Sequence, residues 1–159
     1  KAKKLQNLVV VSPDTGFVKQ ARRYATLLQC NLAIGDKERI NHDENAEILQ
    51  IIGDVKGKTA MIVDDFAISA GTLVEIANTL IEKGASSVYA AITHGVFAPG
   101  TKERIDDSPI TKLLVTDSIE TQPTPMSDKV EIVSVAAYLG EAIRRIHNRE
   151  SISVLFSNA

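Results

Sequence analysis

A chain of 159 residues with 44% hydrophobic content is long enough to close one core of ordinary size, and none of its apolar runs approaches a membrane span. Aromatics make up 4% and Trp is absent, so aliphatic packing must fill that core, as in the Val/Ile/Leu-rich sheets of α/β proteins. Eighteen basic against twenty acidic residues, a net charge of −2, argue against a nucleic-acid footprint, and a single cysteine, Cys30, excludes an internal disulfide. With no signal peptide visible, the expected location is cytoplasmic.

In chain order, "LVVVSPD" (8–14) reads as a buried strand stopped by Ser12 and Pro13. Phe17, Ala21, Tyr24, Ala25 and Leu28 then recur at helical spacing, which predicts a helix over about 16–29. Cys30 falls in that run as a small core residue. "NLAIG" (31–35) is a short strand, and "DKERINHDENAE" (36–47), polar throughout, reads as a mobile loop. "ILQIIGDV" (48–55) and "GKTAMIV" (57–63) return to strand character. Between them "GDVKGKT" resembles a P-loop one residue short; it leads into a strand rather than a helix, so a turn is the better reading.

From Thr72 the period changes: Leu73, Ile76, Ala77, Leu80 and Ile81 form a helical stripe, with Gly84 as the stop. "SSVYAAIT" (86–93) is a strand, and "HGVFAPG" leads into a short helix near 101–106. "TKLLVTDS" (111–118) and "VEIVSV" (130–135) are strands around a Pro-containing loop, and Ala136, Leu139, Ala142, Ile143 and Ile146 mark a last helix. Short apolar strands alternating with helices predict an α/β class with a mainly parallel sheet flanked by helices, in one domain over 1–159.

Ligands collect at the carboxyl ends of strands in such sheets. Asp14, Asp64, Asp65, His94 and Asp117 all follow predicted strands, which puts them on one edge. The histidines His42, His94 and His147 match no zinc spacing, and His147 reads as a surface residue at a helix end. A receiver-type acidic pair would follow the first strand, whereas this one lies mid-chain. "VDDFAISAGT" (63–72) stands apart, because an apolar strand delivers two acids, small residues, a hydroxyl, a glycine and a Thr that opens a helix. A phosphomonoester would find backbone amides at the helix N-terminus and the hydroxyls of Ser69 and Thr72, with Gly71 allowing close approach. Asp64 and Asp65 could then hold sugar hydroxyls, directly or through Mg²⁺. The competing reading is a strand-to-helix turn capped by hydroxyls, with solvated acids.

That segment resembles the phosphoribosyl-pyrophosphate loop of type I phosphoribosyltransferases. More narrowly, nearly the whole chain resembles the C-terminal half of ribose-phosphate diphosphokinases, through "VVVSPDTG", "DKER", "IIGDVKGKTAMIVDD", "AITHGVFAPG" and "EAIRRIHNRESISVLF". The resemblance implies a type I phosphoribosyltransferase-like fold, Mg²⁺ as cofactor, and assembly into hexamers built from dimers. It also implies transfer of diphosphate from ATP to ribose 5-phosphate, giving phosphoribosyl pyrophosphate and AMP. Residue by residue, it implies that Asp14 helps hold Mg²⁺, and that Lys37 and Arg39 close on the transferring group, Arg39 also touching substrate. Asp64 and Asp65 would bind the ribose hydroxyls, and Ile68, Ser69, Ala70, Gly71 and Thr72 would wrap the 5-phosphate.

The physical chemistry agrees with those roles. Diphosphoryl transfer is governed by positioning and cationic stabilisation, which a Lys and an Arg on a closing loop would supply; without the resemblance, Lys37 and Arg39 read better as a solvated loop face. Two positions depart from the pattern: Ile68 stands where the family loop usually carries an acid, and Arg149 where a Gly is common. The half that builds most of the family's nucleotide site, with a His sharing metal duty, has no counterpart in these residues. The expectation is therefore a chain that keeps a sugar-phosphate site but has little or no synthetase activity alone. A phosphoribosyltransferase that consumes phosphoribosyl pyrophosphate is one alternative, although no segment provides a hood over a base. A non-catalytic regulatory relative is the other, with Ile68 in its favour and "KER" against it.

Overall fold

A computed structural model describes residues 5–39, 47–120 and 126–156, the side chains of 37–39 and 47–48 excepted. Seven strands form one sheet in the order β3-β2-β1-β4-β5-β6-β7. They are β1 (Leu8–Ser12), β2 (Asn31–Arg39), β3 (Glu47–Ile52), β4 (Thr59–Ala67), β5 (Ser87–Gly95), β6 (Ile110–Thr116) and β7 (Val130–Val133). Every neighbouring pair is parallel except β2 with β3. The helices are α1 (Val18–Leu27), α2 (Gly71–Glu82), α3 (Thr101–Asp106) and α4 (Ala136–His147), followed by a single 3-10 turn. Among the described residues no helix is long and apolar enough to cross a membrane.

The α/β class and the mainly parallel sheet are as the periodicity predicts. The turn at 53–58 joins β3 to β4, so the P-loop reading stays rejected. The expected mobile loop over 36–47 is corrected in part. Asp36–Arg39 continue β2 and pair antiparallel with β3, from Asp36 opposite Gln50 to Arg39 opposite Glu47; residues 40–46 lie outside the described residues. The reason is physical: β1 ends opposite Ile34, so beyond that point β2 runs on with β3 as its partner. Polar residues are compatible with such an arm, because the ladder satisfies the backbone whatever the side chains are. Strand β4 likewise runs beyond Val63 and carries Asp64 and Asp65 within it.

Helix α1 is shorter than predicted. Gln29 turns left-handed (φ 52°), and the amides of Gln29 and Cys30 close onto the carbonyls of Thr26 and Ala25, a Schellman stop. Cys30 therefore follows the helix. It is half-buried against Val10, Ala21, Ala25 and Val63, and burial pushes its thiol above the usual range. Gly84 ends α2 in the same way (φ 87°), its amide and that of Ala85 reaching Ile81 and Leu80. Buried Leu73, Ile76, Ala77 and Leu80 seat α2 on one sheet face, over Val9, Val11, Ile62, Val88 and Ala90. A smaller cluster under α1 serves the opposite face. Helix α4 buries none of its residues.

Candidate functional site

The connection from β4 to α2 is built by what grips its carbonyls. The Ala67 carbonyl accepts from the Val96 amide (2.9 Å), and Ile68 accepts from the Ala98 amide (2.8 Å) and the Thr101 hydroxyl (3.2 Å). The Ser69 carbonyl accepts from the Arg104 guanidinium, and that of Ala70 from the Val74 amide within α2 (3.0 Å). The amides fare differently. Among the described residues those of Ser69, Ala70, Thr72 and Leu73 donate to no protein acceptor, and that of Gly71 makes one long bond, 3.4 Å, to Ser69 Oγ. A helix N-terminus with free amides carries a partial positive charge suited to an anion.

The left-handed residue of this turn is Ala70 (φ 56°), not a glycine. Ala70 is buried, and holding a non-glycine residue there costs about 1–2 kcal/mol, which the surrounding bonds must sustain. A side chain on Gly71 would meet nothing nearer than Ser69 Oγ at 3.5 Å, so protein packing does not demand the glycine.

The acids converge from two strand ends. Asp64 is half-buried and accepts the Asp65 amide at 2.9 Å. Burial is the main reason its carboxyl is pushed up to about 6; the Asp65 amide opposes the shift, and the negative charges of Asp65 and Asp14 reinforce it. Asp14 Oδ1 accepts the Phe17 amide (2.9 Å) at the entry to α1, and Ser12 Oγ donates to the Asp14 carbonyl (2.8 Å). Gly35 of β2 sits so close to this turn that a Cβ would lie 2.7 Å from the Pro13 carbonyl oxygen. Only glycine lets β2 pass there, so Gly35 sets the height at which Asp14 stands.

A cleft of about 520 Å³ joins these parts, lined by Asp14, Asp64, Asp65 and the whole run from Phe66 to Leu73. Eight of the ten residues marked by the sequence, Asp14, Asp64, Asp65 and Ile68–Thr72, thus share one cavity. The backbone of Lys37 and Arg39 lies in the β2 arm, opposite Leu49 and Glu47; their side chains lie outside the described residues. His94 and Asp117 stand on the same sheet edge but outside the cleft, and each is engaged locally. His94 Nδ1 lies 2.7 Å from Ser118 Oγ, and Asp117 accepts the Val135 amide at 2.8 Å. Sequence reasoning missed Phe17, Gln20 and Phe66 in the cleft wall, and Thr101 and Arg104 behind the loop.

Comparison with solved structures places the sheet and loop in a known class. The chain superposes over 90% of its length on phosphoribosylpyrophosphate synthetase from Mycobacterium smegmatis, with a TM-score of 0.82, 31% identity and 46% of that chain covered. It also matches orotate phosphoribosyltransferase from Aeropyrum pernix over 90% of its length and 69% of that chain (TM-score 0.58, 18% identity), a likeness of fold alone. The expected phosphoribosyltransferase-like fold is borne out.

Within that class the chain belongs to the phosphoribosyl synthetase-associated domain family, which matches residues 40–157. Its curated relatives include ribose-phosphate pyrophosphokinases. That of Thermosipho africanus is 52% identical over 148 residues, covering 93% of this chain and 46% of the relative. That of Oceanobacillus iheyensis is 46% identical over 154 residues, covering 97% and 48%. The chain spans about half the length of the curated relatives it matches.

Proposed function

We propose that this chain is the ribose 5-phosphate-binding, C-terminal half of a ribose-phosphate diphosphokinase. The single observation that carries the reading is the cleft in which two carboxylate-bearing strand ends face a run of amides without protein acceptors. Free amides at the start of α2, with Ser69 Oγ and Thr72 Oγ1, suit the 5-phosphate. Asp64 and Asp65, at the other end of the cleft, suit ribose hydroxyls, which donate hydrogen bonds to carboxylates.

The reaction is diphosphoryl transfer. The anomeric hydroxyl of ribose 5-phosphate gives up its proton to water as its oxygen bonds to the β-phosphorus of ATP; the bond from the β-phosphorus to the oxygen bridging it to the α-phosphorus breaks, and AMP leaves. Lys37 and Arg39, on the β2 arm that runs on past the end of β1, are assigned to the transferring group, where fixed cations stabilise charge on phosphate oxygens. Asp14 is assigned to Mg²⁺. One of its oxygens is used by the Phe17 amide, and the other remains for a cation.

Among the described residues no three His, Cys, Asp or Glu converge as a metal cage. That donor set still fits Mg²⁺, which keeps waters and takes one or two carboxylates together with phosphate oxygens. Bound there, the ion would neutralise phosphate charge. Cytoplasmic location and self-association belong to the same proposal.

A non-catalytic role is the competing reading, favoured by exposed, apolar Ile68 in the cleft wall. The test is calorimetric titration of the chain with ribose 5-phosphate in the presence of Mg²⁺ and without free phosphate. Saturable binding lost in Asp64→Ala is the expected result; no binding by the unaltered chain would overturn the sugar-phosphate site. An AMP-forming rate in the full two-half enzyme that survives Lys37→Ala would remove Lys37 from its role.

A further inference from the structure

The amides of Ser69 and Ala70 are free because something behind the loop holds it in that attitude, and that something is α3. In a trans peptide the carbonyl and the following amide lie in one plane and point in opposite directions. Thr101 Oγ1 and the Ala98 amide pin the Ile68 carbonyl, which turns the Ser69 amide away from α3. Arg104 pins the Ser69 carbonyl, which turns the Ala70 amide the same way. Neither Thr101 nor Arg104 lines the cleft, whereas Ser69 and Ala70 do.

The anchor itself is fixed. Lys129 Nζ donates to the carbonyls of Ile105 (3.2 Å), Asp106 (2.9 Å) and Ser108 (2.7 Å), placing a cation at the C-terminal end of α3. Thr101 and Ile105 are the buried residues of that helix. The turn it holds contains a left-handed alanine, which local preference would not maintain.

We infer that Arg104 is a positioning residue for anion binding: with Thr101 it clamps the loop carbonyls and so presents the Ser69 and Ala70 amides to a phosphate. This rests on the sugar-phosphate reading of the cleft. The guanidinium is suited to the task because a charged donor makes a stronger bond to a carbonyl than a neutral one, and its reach spans the gap between two elements.

The test compares the chain with Arg104→Met and Arg104→Lys. Ribose 5-phosphate affinity is measured by calorimetry, the amide resonances of Ser69 and Ala70 by NMR, and stability by thermal melting. Arg104→Met should weaken ribose 5-phosphate binding roughly tenfold while melting within a few degrees of the parent. Its Ser69 and Ala70 resonances should shift or broaden, and Arg104→Lys, which keeps a charged donor, should restore both readouts in large part. Parent-like affinity with unmoved resonances in Arg104→Met would overturn the clamp. If the unaltered chain binds no ribose 5-phosphate, the sugar-phosphate reading fails by itself. The resonances then decide the clamp alone: moved in Met and restored in Lys supports it, unmoved in Met overturns it.

Discussion

At the scale of single residues, Asp64 shows how a site opposes the stability of its own fold. Its carboxyl is pushed up to about 6 from an ordinary 3.8, chiefly by burial, with Asp65 and Asp14 adding like charge. The folded chain therefore holds a proton there that the unfolded chain has already released between those two values. Stability falls as pH rises through that window and stays reduced above it. Asp64→Asn cannot ionise, yet its side-chain oxygen still accepts the Asp65 amide. It should be more stable than the parent at pH 7 by on the order of 1 kcal/mol, after discounting for solvent at a half-buried group. The difference should vanish near pH 4, and denaturant titrations at the two pH values read it directly. Equal gains at both would assign the effect to something other than charge.

The same scale shows what the sequence hides. Asp64, Asp65 and the small-residue run were legible because strand, acids and helix start are contiguous over 63–72. Ala70 was not, since a left-handed turn ordinarily announces itself with glycine, and here Gly71 sits one place too late. Arg104 was not legible either: its bond to Ser69 crosses 35 positions, and no local pattern encodes it.

At the scale of elements, caps explain most of the boundaries. Helices α1, α2 and α4 all stop in the Schellman geometry, with Gln29, Gly84 and Arg149 at the left-handed position. Only Gly84 was readable as a stop. Arg149 (φ 58°), the position where the resemblance expects glycine, adopts the glycine conformation without being one, with its amide on Ile146 and that of Glu150 on Arg145. Nearby, Arg144 joins Glu141 and Glu150 in ion pairs at 2.8 Å, which hold both carboxyls below their usual range.

Arg149→Gly should relieve the left-handed strain, gaining roughly 0.5–1 kcal/mol in helix α4 once glycine's greater freedom in the unfolded chain is set against it. Amide exchange within α4 should slow about two- to fivefold; faster exchange would mean that the arginine's side chain is worth more than its strain. The β2–β3 arm teaches the complementary lesson. Polarity along 36–47 does not decide between loop and strand when a partner strand satisfies the backbone, as β3 does for Asp36.

At the scale of the whole molecule, the layers are unequal. Helix α2 closes one face of the sheet over the main core, whereas α1 packs chiefly on β1, β2 and β4 on the other. Beyond it, across β5, β6 and β7, runs a groove of about 210 Å³ lined by Tyr24, Ala91, Leu114 and Val133. Parallel sheets ordinarily have both faces covered. The stripe predicted along α4 from Leu139, Ile143 and Ile146 is present, yet all three side chains are more than half exposed. Periodicity foretold the helix and its apolar face; what that face meets is a fact about packing, which periodicity does not contain.

Stability should divide accordingly. Ile76 is fully buried in α2, and Ile76→Ala removes contacts on every side, at a cost of about 2–5 kcal/mol. Ile143, 68% exposed, has almost nothing to lose, so Ile143→Ser should stay within about 0.5 kcal/mol of the parent. Both follow from urea unfolding of the chain at one protein concentration. A cost for Ile143→Ser approaching that of Ile76→Ala would require α4 to be buried when the chain is folded in solution, and the unequal layering would then be wrong. If the two costs separate as expected, the stability of the fold rests mainly on the α2 side of the sheet. That is the side on which α2 and α3, the two helices flanking the loop between β4 and α2, both bury their apolar residues.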